Sequence, residues 1–267
     1  MSVVGVGIIS KRGERRKYLP LEIRAKMYED VLKLGRQGLT YKEIQEKLFE
    51  KYGKQLCMKN IYDWINGKHN PLGKVNKFDE KPSPELEYVI GAIFSDGNKY
   101  FSSEGYRLRL EVKDKEYAEE FGRCLAKVIG RRKPYKPYWD ENQKRWIVAG
   151  CSILLFKFLE KPLEELKIYI EHCKDCVSAF LRALFDGDGH IYKRKLMFYN
   201  TNKELLVYVQ YLLKKYFDVE ATGPHLVNGK KDYYYIYIRA KSLLNFYKYI
   251  GFTIKRKQKT LIKAIKQ

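Results

Sequence analysis

Apolar and polar residues alternate strictly along Tyr106-Arg107-Leu108-Arg109-Leu110-Glu111-Val112-Lys113. That period predicts a strand with Leu108, Leu110 and Val112 on one face and Arg107, Arg109, Glu111 and Lys113 on the other. A second run, Asp232 to Arg239, alternates likewise and places Tyr233, Tyr235, Tyr237 and Arg239 on an exposed face. Elsewhere the period is helical. From about Leu21 to Asn66 the chain reads as a helical block. Thr40-Tyr41-Lys42-Glu43 is a capping box that opens a helix with Ile44 and Leu48 inward, and Lys59 to Asn66 forms another helix with an inward Trp64 that Gly67 stops. The short connection KYGKQLC between them makes a helix-turn-helix. Residues 69–84, HNPLGKVNKFDEKPSP, are polar and rich in Gly and Pro, which predicts a linker, placed at 76–84 after a helical domain at 1–75.

Beyond the linker the pattern recurs at a spacing of about 90 residues. VIGAIFSDG (89–97) is answered by LRALFDGDG (181–189), Lys115-Glu116 by Lys203-Glu204, and CSILLF (151–156) by KSLLNF (241–246). In each copy a helix ending in Asp-Gly precedes two strand-like runs, a helix, two more strand-like runs and a last helix. The repeats are placed at 85–174, including a helical connector at Pro162–Glu171, and at 175–267. The fold class is therefore α+β, two pseudo-symmetric αββαββα repeats with a small all-α domain before them.

Composition sharpens this picture. The 267 residues carry 53 Lys plus Arg against 32 Asp plus Glu, a net charge of +21 that exceeds what solubility needs and points to a polyanion. Residues 175–267 hold 18 basic and 7 acidic side chains, and the end, KRKQKTLIKAIKQ, reads as a basic helix or arm. Twenty-three tyrosines among these cations suit contacts to phosphates, sugars and bases. A heat-adapted charged surface explains the abundance of charge but not its bias. No apolar run approaches a membrane span, and MSVVGVGIISKRGERR reverses the order of a signal peptide, so the expectation is a cytoplasmic, nucleoid-associated protein. The five cysteines read as reduced thiols. Cys173-Lys174-Asp175-Cys176 is a lone Cys-x-x-Cys without a second pair at finger spacing, and reads as buried thiols rather than a zinc site.

The helices that end in acid need a physical reason. Gly91 and Ala183 put small residues in the middle of each apolar helix, where two backbones approach closely. Packed along a pseudo-twofold axis, the two helices would end together and bring Asp96 beside Asp188. Carboxylates at a helix C-terminus repel both its partial negative charge and each other, so a cation is required. Paired carboxylates with nearby backbone carbonyls form a hard-oxygen set suited to Mg2+.

VIGAIFSDG and LRALFDGDG resemble the paired signatures of the LAGLIDADG homing endonucleases in their single-chain form, over roughly residues 84–255. The resemblance implies four-stranded sheets that saddle duplex DNA and divalent metal, Mg2+ or Mn2+, held by Asp96 and Asp188 with the carbonyls of Ser95 and Gly187 as helpers. It places catalytic lysines near Lys99, Lys113, and Lys193 or Lys195. DNA contacts are expected from Arg107, Arg109, Lys195, Tyr233, Tyr235, Tyr237 and Arg239. The first motif has Phe94 where the family name has Asp, whereas the second keeps Asp186. His190 reads as a polar residue facing phosphate or solvent rather than a general base. The N-terminal helices resemble resolvase-like modules, which would turn Lys59, Asn60, Tyr62 and Asp63 to the groove.

The implied activity is hydrolysis of one phosphodiester on each strand of a long, near-asymmetric duplex site by a monomer. The alternative is a non-cleaving regulator or an RNA-splicing maturase on the same scaffold. A basic structural DNA-binding protein has no use for two repelling acids.

Overall fold

The structure, a computed structural model, describes residues 19–68, 78–102, 105–229 and 231–266. The chain forms two compact units, Met1–Val75 and Asn76–Gln267. The basic opening residues and most of the Gly- and Pro-rich stretch at 69–77 lie outside the described residues; 78–83 run as irregular chain.

The first unit holds three helices, α1 (Leu21–Arg36), α2 (Tyr41–Tyr52) and α3 (Met58–Ile65). The expected capping box opens α2, where the Thr40 hydroxyl accepts the Glu43 N–H and the Glu43 carboxylate accepts the Thr40 N–H at 2.8 Å. Met27, Val31, Ile44, Leu48, Ile61 and Trp64 bury together. Tyr28 meets Trp64 edge to face at 5.6 Å. Gly67 ends α3 in the left-handed region at φ 65°.

The second unit contains α4 (Pro84–Phe94), β1 (Gly97–Ser102), β2 (Gly105–Val112), α5 (Lys115–Val128), β3 (Tyr138–Asp140), β4 (Arg145–Cys151) and α6 (Ile153–Phe158). A connector, α7 (Leu163–Ile170), leads to α8 (Lys174–Gly187), β5 (Gly189–Tyr192), β6 (Lys195–Asn200), α9 (Lys203–Phe217), β7 (Ala221–Leu226), β8 (Tyr234–Ile238) and α10 (Leu243–Tyr249). The sequence KRKQKTLIKAI becomes α11 (Lys255–Ile265). The two four-stranded antiparallel sheets have the same order, β1-β2-β4-β3 and β5-β6-β8-β7. The fold is thus two αββαββα repeats.

The helices α4 and α8 pack along each other at the junction of the repeats, and Gly91 sets their separation. A Cβ there would lie 2.5 Å from the Phe180 carbonyl oxygen and 2.9 Å from the Ala183 Cβ. Tyr117, fully buried on α5, braces the seam. Its hydroxyl donates to the Ala183 carbonyl at 3.0 Å and meets the Ser95 hydroxyl at 3.0 Å. Tyr117→Phe removes this second donor to the Ala183 carbonyl, which keeps its helical N–H, and is expected to cost about 1 kcal/mol, read as a lower urea midpoint with an unchanged slope.

Each sheet turns one face to this core. Leu108, Leu110, Val112, Ile236 and Ile238 are buried, as the alternation predicts, and Leu196 and Phe198 of β6 are buried with them. The strand β8 is shorter than the alternating run: Tyr233 and Arg239 flank it, because the Arg239 N–H turns to the Glu220 carbonyl at 2.9 Å and the chain enters a tight turn at Ala240–Ser242.

Candidate metal centre and nucleic-acid face

The two motif helices end at one place. A Cβ on Gly187 would fall 3.0 Å from the Asp96 carboxylate Oδ2 and 2.5 Å from the Ser95 hydroxyl. Asp96 therefore lies against the residue that precedes Asp188. The Asp96 side chain reaches solvent on one side but is otherwise crowded, and burial pushes its carboxyl above the usual carboxylate range while Lys257 and Arg145 draw it down. Asp188 is pushed up to about 6, first by burial and next by the Asp96 charge. The Asn200 side-chain amide donates to it at 3.0 Å. The Asp96 charge thus helps to raise Asp188; a proton taken up there relieves the repulsion, and a divalent cation does the same work without the proton.

Asp186 takes a different role from its neighbour. It is 2% exposed and accepts the N–H groups of Thr253 and Ile254, at 2.9 and 3.2 Å, and the Tyr88 hydroxyl at 3.1 Å. It fixes the two residues that lead into α11, and its charge lies near the positive end of that helix's dipole.

The cation demanded by electrostatics is partly supplied by the chain itself. Lys257, 6% exposed, donates to the carbonyls of Phe185 at 3.0 Å, Asp186, and Gly187 at 3.4 Å, at the end of α8. Burial lowers its ammonium to about 8. The Gly187 carbonyl, expected as a helper to a metal, thus has a long ammonium contact beside it. Sequence reasoning missed Lys257. The signal was present, because Ile254, Lys257, Leu261 and Ala264 share the buried face of α11 and a lone Lys breaks that apolar stripe. Arg256 beside it makes a bidentate pair with Asp114, both contacts at 2.7 Å, and ties α11 to the first repeat.

Of the expected lysines, Lys113 shares a cavity with one of the two acids, Asp96. It lines a cavity of about 190 Å³ with Asp96, Asp114, Tyr117, Arg145 and Gly187, among others. Lys99 does not. Its register partner on β2 is the buried Leu108, so its side chain points to the covered face of the sheet and donates to the Leu159 carbonyl after α6. Lys193 sits in the two-residue turn between β5 and β6, at φ 52°, with its ammonium over the Tyr192 ring at 5.4 Å. That turn is four residues from Gly189, roughly 13 Å along a strand. Lys195 is exposed on β6. The Ser95 hydroxyl is spent on the carbonyls of Gly91 and Ala92, both at 3.2 Å.

On the open face of the first sheet, Asn98 pairs with Arg109 and Tyr100 with Arg107. Arg109 reaches Glu111 at 2.8 Å, an ion contact without hydrogen-bond alignment. On the second sheet, His190 pairs with Met197, Met197 with Tyr237, and Tyr199 with Tyr235. Tyr199 stacks on Tyr233 at 5.8 Å and tilts against Tyr235 at 5.5 Å. The open faces are thus unequal, one richer in Arg and the other in Tyr. Arg239 is exposed and approaches Glu220 at 3.7 Å. In the first unit Lys59, Asn60 and Tyr62 are exposed on α3, and Asp63 is half-buried. Among the described residues no helix is long and apolar enough to cross a membrane.

The raised acid has a consequence for stability. In the metal-free protein Asp188 keeps its proton up to about pH 6, whereas an unfolded Asp loses it near 3.9. Between these values the folded state binds more protons, so this contribution is full below about pH 4 and is lost as pH rises through 6. Asp188→Asn is expected to flatten the fall of the melting temperature from pH 4 to 7 relative to wild type, and saturating Mn2+ to do the same in wild type.

Residues 175–251 match the LAGLIDADG-like domain. The fold resembles that of the homing endonuclease I-DmoI: one structure of its variants gives a TM-score of 0.53 at 19% identity over 67% of this chain and 97% of that one. I-DmoI in complex with DNA and Mn gives 0.51 at 19% identity over 62% and 96%. At that identity the likeness concerns the fold. In sequence, the chain is 32% identical over 254 residues to the uncharacterized protein MJ0398 of Methanocaldococcus jannaschii, a match that spans 88% of this chain and 91% of that protein. The chain belongs to the family of MJ0398, with a LAGLIDADG-like domain in its second repeat.

Proposed function

We propose that this protein is a site-specific double-strand DNA endonuclease that hydrolyses one phosphodiester on each strand and depends on Mg2+ or Mn2+. The observation that carries this reading is the convergence of Asp96 and Asp188 at the α4–α8 seam, each with its acidity weakened by burial. A basic DNA-binding scaffold gains nothing from two such acids. Asp96 and Asp188 would hold the cation, with the Ser95 carbonyl as a further oxygen donor. When bound, the cation supplies an activated water and offsets the charge of an in-line displacement. Lys113 faces the phosphate from the Asp96 side, and Lys195 is the basic residue available on the open face of the second sheet. Asn200 orients the Asp188 carboxylate.

The two sheets form a saddle for a long, near-asymmetric duplex bound by a monomer. Arg107, Arg109, Tyr233, Tyr235, Tyr237 and Arg239 contact it, together with Tyr100, Met197 and Tyr199, which the sequence alone did not single out. Residues 1–75 act as a helix-turn-helix domain whose Lys59, Asn60 and Tyr62 grip DNA, joined by a linker at 76–84 to the repeats at 85–174 and 175–267.

One observation favours a second reading, a non-cleaving regulator or a maturase: Lys257 already neutralises the end of α8 without a metal. The test is incubation with duplex DNA made from the gene's own flanks joined without the gene, in Mg2+ and in EDTA. Cutting confined to Mg2+ supports the nuclease. Tight specific binding without cutting supports the regulator.

A further inference from the structure

At the opposite end of α8 from the acid pair, three soft ligands meet in the turn that follows α7. Cys173 is the N-cap of α8, and its Sγ accepts the Cys176 N–H at 3.3 Å and lies 3.2 Å from the Cys176 Sγ. Both thiols are free. The ring of His172 joins them, so that one ligand atom from each of His172, Cys173 and Cys176 lies within 4.8 Å of the others. Their exposure grades from outside to inside: His172 is exposed, Cys173 half-buried and Cys176 buried. The Cys-x-x-Cys spacing carried two ligands, and the fold adds a third from the adjacent residue.

We propose that His172, Cys173 and Cys176 form a binding site for one zinc ion or a similar borderline-soft divalent metal, with a fourth position open to solvent. Zinc–sulfur bonds of about 2.3 Å and zinc–nitrogen bonds of about 2.0 Å in a tetrahedron set ligand atoms roughly 3.5–4 Å apart. The cluster brackets those separations, and the two sulfurs need to part by only about half an ångström. The ligands must be thiolates: the N-terminus of a 14-residue helix favours them through its dipole, while burial holds the Cys176 thiol well above its ordinary value, so an arriving metal has to displace its proton. Thiolate and imidazole donors select zinc over the hard cations that carboxylates attract. The site is therefore chemically distinct from the acid pair, from which it is separated by the length of α8, about 21 Å.

The experiment uses the full chain carrying Asp96→Asn and Asp188→Asn, kept reduced and stripped of metal, and titrates it with Zn2+ alone against a chromophoric chelator and then with Co2+. The expected result is one equivalent of zinc bound, and a cobalt complex with a thiolate-to-metal charge-transfer band. Cys173→Ser keeps the cap through its hydroxyl and His172→Ala alters an exposed side chain, so both variants fold. Each is expected to weaken zinc at least tenfold, and Cys173→Ser to reduce the charge-transfer band to about half, as one thiolate of the two is lost. A reduced, folded protein that binds no zinc, or binds it equally well in the Cys173→Ser variant, overturns the proposal. Because the acid pair is absent throughout, the outcome is independent of whether the protein cuts DNA.

Discussion

Replacing either Asp96 or Asp188 with Asn is expected to lower cleavage of at least one DNA strand by about 1000-fold, the scale on which active sites lose rate when one charge-stabilising group is removed. DNA affinity should change by less than about threefold, since binding rests on many dispersed cations. The two residues lie where α4 and α8 end, with Asp96 against Gly187 and its charge felt by Asp188. Asn keeps the size and one oxygen but removes the charge that draws the cation. Gel-resolved cleavage of each labelled strand, with an electrophoretic binding assay on the same duplex, separates the two effects. Wild-type rates in both variants remove the pair from the mechanism, and a matching loss of affinity assigns them to binding.

The second large effect concerns packing. Gly91→Ala is expected to destabilise the second unit by about 2 kcal/mol, because the new methyl would sit 2.5 Å from the Phe180 carbonyl oxygen. Overpacking of this kind costs up to about 3 kcal/mol, and the better helix propensity of Ala returns about 1. For a unit of this size the melting temperature should fall by roughly 4–8 °C. The sign is the sharp part, since Gly→Ala in a helix without such a neighbour is stabilising. Calorimetry of the full chain reads the second unit, and a rise in its melting temperature would mean that α4 and α8 do not approach as closely as described.

The pattern of the chain made much of this legible. Alternation located β2 and its buried Leu108, Leu110 and Val112, and the recurrence at about 90 residues located both repeats. The small Gly91 and Ala183 marked the helix seam before any coordinates, because close backbone approach leaves a signature in residue size. Less legible was which side chain faces which way at a strand start. Lys99 lies beside the motif in sequence, yet the register with Leu108 turns it to the covered face. Lys193 is also close in sequence, and a turn carries it off to the hairpin tip. Asp186 and Lys257 were harder still, since their partners lie some 70 residues away and no local period encodes such a pairing.

The unequal finish of the two motif helices has its own consequence. The last carbonyls of α4 are met by a neutral hydroxyl from Ser95, while those of α8 are met by the ammonium of Lys257. For the nuclease proposed above, a site built this way is only approximately symmetric in charge, so the two scissions should run at different speeds. A nicked duplex, broken always on the same strand, should then accumulate early in a time course and decay as the slower half catches up.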